Sequence, residues 1–203
     1  MKYVIVGGVA GGASSAARLR RLDEKAEIIM FEKGPHVSFS NCCLPYRLSE
    51  KIGKTESLVL MNPVQFAKQY NIQARTSSEV LSIDRDLKKV KVRNLENGQE
   101  YEETYDKLIL SPGGNAIVPP IKGIENANTF IVKNVVDIAK LYHFLKENNV
   151  KKVSVLGGGF IGVEVAENLI EAGYEVSLVE AMPQILRTYD YDMVQILHKE
   201  MLD

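Results

Sequence analysis

Cysteine is nearly absent: the 203 residues hold two, and they are neighbours, Cys42 and Cys43. A bond between adjacent residues closes almost no loop and strains the peptide, so no disulfide framework staples this chain and the thiols are expected to be reduced or reactive. Histidine is equally scarce. His36, His143 and His198 are scattered, so neither a metal-ligand cluster nor a Cys-His dyad can be read from them, and each suits a surface position. An excess of one charge is missing too. The 25 basic and 26 acidic side chains are interspersed for a formal net charge of -1, which leaves no basic stripe for nucleic acid and no polybasic patch for an anionic membrane. No apolar run approaches about 20 residues, so no membrane span is expected. Met1-Lys-Tyr-Val-Ile-Val6 leads straight into glycines without a signal-peptide h-region or cleavage site, which makes the cytoplasm the expected location. Low-complexity segments are absent, and partners must be sought in pockets.

What the chain does have is 45% hydrophobic content, enough to bury a core in one or two units. Periodicity and turn chemistry predict a strand over Lys2 to Val6, a helix over Gly11 to Leu22 and a strand over Ala26 to Phe31, a βαβ beginning. Asn62-Pro63 precedes a short helix, Val64 to Tyr70, and three β-like runs follow: Glu79 to Ile83, Lys89 to Asn94 and Tyr101 to Leu110, with Asn97-Gly98 marking a hairpin turn. The Pro- and Gly-rich stretch from Ser111 to Gly123 reads as a connection. Asp137 is expected to cap a helix running to Lys146, and Lys151 to open a second βαβ unit.

Each βαβ beginning carries a glycine fingerprint, the only internal repeat in the sequence. In the first, Gly7 permits a tight turn and Gly12 close packing of helix on strand, while the helix N-terminus offers unpaired N–H groups to a pyrophosphate. Val9 occupies the place of the middle glycine, where a side chain crowds a phosphate. Glu32, 25 residues beyond Gly7 at the end of the second strand, can accept from a ribose diol. The second fingerprint is complete at Gly157, Gly159 and Gly162, with Glu180 lying 23 residues beyond Gly157. An acid at position 180 repels a 2′-phosphate, so NADH is favoured over NADPH. The bland alternative for either motif is a glycine-rich turn without a ligand.

Between the fingerprints lies Ser38-Phe-Ser-Asn-Cys-Cys-Leu-Pro-Tyr46. It reads as a strand end or loop entering a helix near Asn41, with Pro45 at or beside the first turn. A cysteine at a helix N-terminus sees the positive end of the peptide dipoles, which favours the thiolate needed to attack a disulfide or peroxide. Buried cysteine as core filler is the alternative.

With these residues in view, the chain resembles the FAD-dependent pyridine nucleotide-disulfide oxidoreductases, specifically the single-cysteine branch of coenzyme A disulfide reductases and related NADH oxidases. Gly7-Gly-Val-Ala-Gly-Gly12 is similar to that branch's FAD fingerprint, Val9 included. Ser38-Phe-Ser-Asn-Cys42 with Leu44-Pro-Tyr46 resembles its redox segment, and Tyr105-Asp-Lys-Leu-Ile-Leu-Ser-Pro-Gly113 its later flavin-contact strand. The resemblance implies FAD at Gly7, Val9, Ala10, Gly11, Gly12, Glu32, Lys33, Val80, Ser111, Pro112 and Gly113. It implies NADH or NADPH at Gly157, Gly159, Phe160, Ile161, Gly162 and Glu180, with Cys42 as redox cysteine and Asn41 beside it. Coenzyme A, as substrate or mixed disulfide, would contact Ser14, Arg18, Arg21, Ser38 and Asn41. Arg18 and Arg21 stand at i and i+3 on one helix face, suited to phosphates, although exposed arginines commonly serve solubility alone. Where the branch commonly has glycine or alanine, this chain has Cys43, either packing or a second thiol.

The expected fold is α/β, two Rossmann-like dinucleotide-binding units with the second truncated, elaborated by a third layer or β-meander. The first spans 1–114 and the second, with its linker, 115–203. Two parallel strands alone leave exposed edges, so the chain is read as the N-terminal part of a longer protein whose intact form is a homodimer by resemblance. The expected function is NAD(P)H-dependent reduction of coenzyme A disulfide, or of a related disulfide or polysulfide. The alternatives are an NADH oxidase or peroxidase using a cysteine sulfenic acid, or a nucleotide-binding piece without catalysis.

Overall fold

A computed structural model describes residues 1–126 and 128–202. The chain forms two compact units: Met1–Ser40 with Leu58–Val118, and Asn41–Ser57 with Pro119–Asp203.

The first unit is built on a parallel sheet of β1 (Lys2–Val6), β2 (Glu27–Phe31), β3 (Gln73–Arg75) and β7 (Lys107–Leu110) in the order β3-β2-β1-β7. Helix α1 (Ala10–Leu22) joins β1 to β2, α2 (Pro63–Tyr70) precedes β3, and an antiparallel meander, β4 (Ser78–Asp84), β5 (Lys89–Asn94) and β6 (Glu100–Thr104), separates β3 from β7. Strand alternation sorts the core into two layers. Ile5, Ile28 and Met30 pack with Ala13 and Ala16 of α1, with Phe66 of α2 and with Ile72. Val4, Ile29 and Phe31 point the other way onto Val90 and Val92 of the meander. Phe31 is 1% exposed, and truncating it to alanine would cost roughly 3–5 kcal/mol.

The β-like run Tyr101 to Leu110 is two strands, the second of them the buried-type run Lys107 to Leu110. β6 pairs with β5, whereas β7 pairs with β1 in the parallel sheet, Val4 opposite Leu108. The pattern changes within it: β6 alternates exposed and half-buried residues, as suits a meander strand with one solvated face, while Leu108-Ile-Leu110 is continuously apolar. Asp106 makes the switch, its N–H donating to the Lys2 carbonyl at 2.9 Å and its carboxylate accepting the Lys2 N–H at 2.7 Å. The three-residue β3 carries no periodic signal and was not expected. Asn62 and Gln65 form a reciprocal capping box on α2, with Pro63 at its start.

Two polar clusters tie this unit together. Arg20 donates to five backbone carbonyls, of Asp23, Glu24, Ala26, Tyr70 and Asn71, at 2.6–3.2 Å. Glu103 is held between Lys2 at 2.6 Å and Arg75 at 2.7 Å. Burial raises the Glu103 pKa, but the hydrogen bonds from Lys2 and Arg75 outweigh burial and hold it below the usual 4.5.

The second unit contains α3 (Val135–Glu147), the parallel pair β8 (Lys152–Leu156) and β9 (Glu175–Val179), α4 (Phe160–Glu171) between them, and α5 (Tyr191–Leu202). Asn134, not Asp137, caps α3: its side chain accepts the Asp137 N–H at 3.0 Å. Both residue types cap helices, and the acid expected to do so lies in the first turn, where its charge suits the helix dipole. The segment Asn41–Ser57 also belongs to this unit. Among the described residues, no helix is long and apolar enough to cross a membrane.

Candidate dinucleotide and thiol sites

At the C-terminal edge of the first unit's parallel sheet, the chain turns from β1 into α1 with Gly7 at φ +97°. A side chain cannot replace hydrogen there or at Gly12. A Cβ on Gly7 would lie 1.9 Å from the Ser111 carbonyl oxygen, and one on Gly12 1.8 Å from the Gly7 carbonyl oxygen. Gly11 is close-packed too, a Cβ there meeting Ser111 Oγ at 3.0 Å. The turn thus brings Gly7, Gly11 and Gly12 together with Ser111 and Pro112 at the end of β7, Gly113 following. Val9 precedes α1 and no side chain caps that helix, which leaves its first-turn N–H groups, beginning at exposed Ala10 and Gly11, for an anion.

Glu32 closes this cradle from the end of β2. Its Oε2 accepts the Gly8 N–H and its Oε1 the Gly34 N–H, each at 2.8 Å. A carboxylate has about four lone-pair sites, so two remain for ribose hydroxyls. Lys33 is exposed and paired with Glu79 at 2.8 Å, while the neighbouring Val80 packs on the meander-side core.

The second unit repeats this device. Gly157 has φ +106°, and a Cβ on Gly162 would lie 1.9 Å from the Gly157 carbonyl oxygen. Glu180 Oε2 accepts from Gly158 N–H at 2.7 Å and Oε1 from Met182 N–H at 2.8 Å. These bonds, the Gly158 one foremost, hold the Glu180 carboxyl below its ordinary pKa. The helix behind it, α4, has no side-chain cap either, and Phe160 and Ile161 at its start are exposed. Phe160 meets Tyr189 edge-on at 5.8 Å.

The repeat extends past the fingerprints, which sequence reading did not detect. Ser38 N–H donates to the Gly8 carbonyl and Leu186 N–H to the Gly158 carbonyl, both at 2.8 Å, and both residues have left-handed φ, +48° and +46°. Val37 and Ile185 cover the same glycines: a Cβ on Gly8 would meet Val37 Cγ1 at 2.7 Å, and one on Gly158 would meet Ile185 Cγ2 at 2.5 Å. The signal was the glycine doublet opening each motif and an apolar residue five positions beyond each acid. The cradles differ at their middle position. Gly159 has nothing within 4 Å of a built Cβ, whereas Val9 fills the corresponding place.

Cys42 is exposed, Cys43 half-buried, and both are free thiols. The expected helix at Asn41 is instead a pair of 3-10 turns, Asn41–Cys43 and Pro45–Arg47. Three-residue turns carry little macrodipole, so that electrostatic reason for a primed thiolate does not hold. On α1, Ser14, Arg18 and Arg21 are exposed, opposite buried Ala13 and Ala16. Ser38 is half-buried and Asn41 exposed. Among the described residues, no group of three or more His, Cys, Asp or Glu could hold a metal ion.

Two glycine cradles, each braced by an acid at the end of the following strand, have the geometry of dinucleotide-binding turns. The whole chain, residues 1–203, matches the pyridine nucleotide-disulphide oxidoreductase family, and it belongs to that family. It is 39% identical over 200 residues to the coenzyme A disulfide reductase of Staphylococcus aureus strain JH9, covering 98% of this chain and 45% of that protein. The reduced CoADR-RHD of Bacillus anthracis superposes with a TM-score of 0.95 at 45% identity, over 98% of this chain and 36% of that one. An NAD-dependent persulfide reductase from A. fulgidus gives 0.93 at 32% identity, over 99% and 37%. The chain therefore spans less than half the length of these relatives.

Proposed function

We propose that the full-length protein is an FAD-dependent NAD(P)H oxidoreductase that reduces coenzyme A disulfide, or a closely related disulfide or polysulfide, through Cys42. The observation that carries this reading is the duplicated cradle, Gly8 with Glu32 and Gly158 with Glu180. Its support is the likeness to a coenzyme A disulfide reductase and a persulfide reductase.

The first cradle fits FAD: Gly7, Val9, Ala10, Gly11 and Gly12 would hold the pyrophosphate, Glu32 the ribose, and Lys33, Val80, Ser111, Pro112 and Gly113 the remaining contacts. The second fits a nicotinamide dinucleotide on Gly157, Gly159, Phe160, Ile161 and Gly162. Glu180, kept ionised by its backbone donors, favours NADH because a 2′-phosphate would face a carboxylate. When bound, these groups supply hydride transfer and two-electron storage.

Cys42 supplies the sulfur chemistry. Its thiolate attacks one sulfur of the substrate, the substrate S–S bond breaks, and one coenzyme A leaves as thiolate while the other stays in a mixed disulfide with Cys42. The two electrons that bound nucleotides would supply reduce that mixed disulfide. Cys42 returns as thiolate and the second coenzyme A departs after taking a proton. Asn41 stands beside the sulfur, and Ser14, Arg18, Arg21 and Ser38 bind the substrate, the two guanidinium groups meeting its phosphates. The adjacent reduced thiols suit the cytoplasm, and we assign the intact protein a homodimeric state.

Steady-state kinetics of the full-length holoenzyme test this reading. Coenzyme A disulfide should be turned over faster than oxygen or peroxide, and Cys42→Ser should abolish that turnover. Full disulfide reductase activity in Cys42→Ser would overturn it.

A further inference from the structure

The segment that carries Cys42 has no α-helix or strand of its own, yet it is a rod. The N–H of Leu44 donates to the Asn41 carbonyl at 3.3 Å, that of Arg47 to Leu44 at 3.1 Å, and that of Glu50 to Arg47 at 3.4 Å. Successive i to i+3 bonds thus link Asn41 to Glu50. Glu50 ends it in a left-handed conformation, φ +61°, that L side chains avoid.

The far end of the rod is fastened to the second unit's helices. Arg47 lies 3.4 Å over the Tyr142 ring of α3, and the Glu50 carboxylate accepts from Tyr142 Oη and Lys146 Nζ, each at 2.7 Å. On α4, Asn168 is fully buried. A buried amide in mid-helix is unfavourable unless both its ends are bonded. Here they are: Nδ2 donates to the Glu164 carbonyl at 2.8 Å and Oδ1 accepts from the Ser49 hydroxyl at 2.6 Å. An apolar residue would pack at this position without needing a partner. An amide there selects one register of the rod on α4, because any slip strands its oxygen.

Resting on the proposed role of Cys42, we infer that Asn168, through Ser49, is a positioning residue that sets where the Cys42 thiol stands. Asn168 anchors the far end of the rod, and the sulfur stands exposed at the near end. Since α4 begins in the second glycine cradle, the thiol's support and that cradle share one helix.

The test is the pH profile of Cys42 alkylation by iodoacetamide in the full-length holoenzyme, read by mass spectrometry of the Cys42 peptide. Ser49→Ala should displace the profile, changing the Cys42 alkylation rate at neutral pH by roughly threefold. Ser49→Thr, which keeps the hydroxyl, should restore it. Val165→Ala, which thins the core beside Asn168 on the same helix, should leave it in place. A Ser49→Ala profile that superimposes on the parent's, or an equal shift in Val165→Ala, would overturn the inference. The alkylation readout is independent of turnover, so loss of the Cys42 mechanism would be recognised separately.

Discussion

The Nε of Arg20 donates to the Tyr70 carbonyl at 2.7 Å, across fifty residues of sequence. The rest of its guanidinium reaches the loop after α1 and the end of α2, so one side chain satisfies carbonyls that neither helix can pair. Arg20→Ala should lower stability by about 2–4 kcal/mol. Arg18→Ala and Arg21→Ala, at exposed positions of the same helix, should stay within about 0.5 kcal/mol of the parent. Thermal melts of the three full-length variants check this.

Gly159 and Gly162 answer to different masters. Gly162 is required by the fold, since its Cβ would strike the Gly157 carbonyl. Gly159 has extended backbone, φ -77° and ψ -177°, with open space around it. Gly159→Ala should therefore leave the melting temperature unchanged and raise the Kd for NADH about tenfold, because only a close-lying phosphate needs that space. Fluorescence titration with NADH measures it, and an unchanged Kd would remove the second dinucleotide site from this turn.

Glu180→Gln keeps the size of the side chain but loses its charge and one of its two acceptors for Gly158 and Met182. If Glu180 sets the proposed preference for NADH over NADPH, that preference should fall by about tenfold in kcat/KM, with a higher KM for NADH from the loosened turn. Steady-state kinetics with both nucleotides decides the point.

Glu103 predicts an acid limb. Its folded pKa lies below 4.5, held there by Lys2 and Arg75 against burial. The stabilisation is complete above about pH 4.5 and is lost as pH falls through the lower folded value. Glu103→Gln should cost about 1–3 kcal/mol near neutrality, with the difference from the parent shrinking below pH 4.5. Acid titration followed by circular dichroism measures both limbs.

The two cradles were legible in the sequence because glycine is a statement about backbone. Gly7, Gly12, Gly157 and Gly162 stand where a Cβ would strike a carbonyl or where φ is positive, so strand, turn and helix could be placed from spacing alone. Glu32 and Glu180 were legible for the same reason, each closing a strand of fixed length. What spacing does not encode is which distant element a residue meets. The sequence places Arg18, Arg20 and Arg21 on one helix; only the fold consigns Arg20 to backbone carbonyls and leaves the others exposed. Likewise the bonds from Asp106 to Lys2 come only with the fold, and the Asn41 to Ser57 segment is bonded to Tyr142 and Asn168, about 90 and 120 residues away. Local sterics determined the nucleotide turns from the chain itself. Long-range packing and hydrogen bonding decided the thiol segment, because a stretch without repetitive structure takes its conformation from the surface it is bonded to.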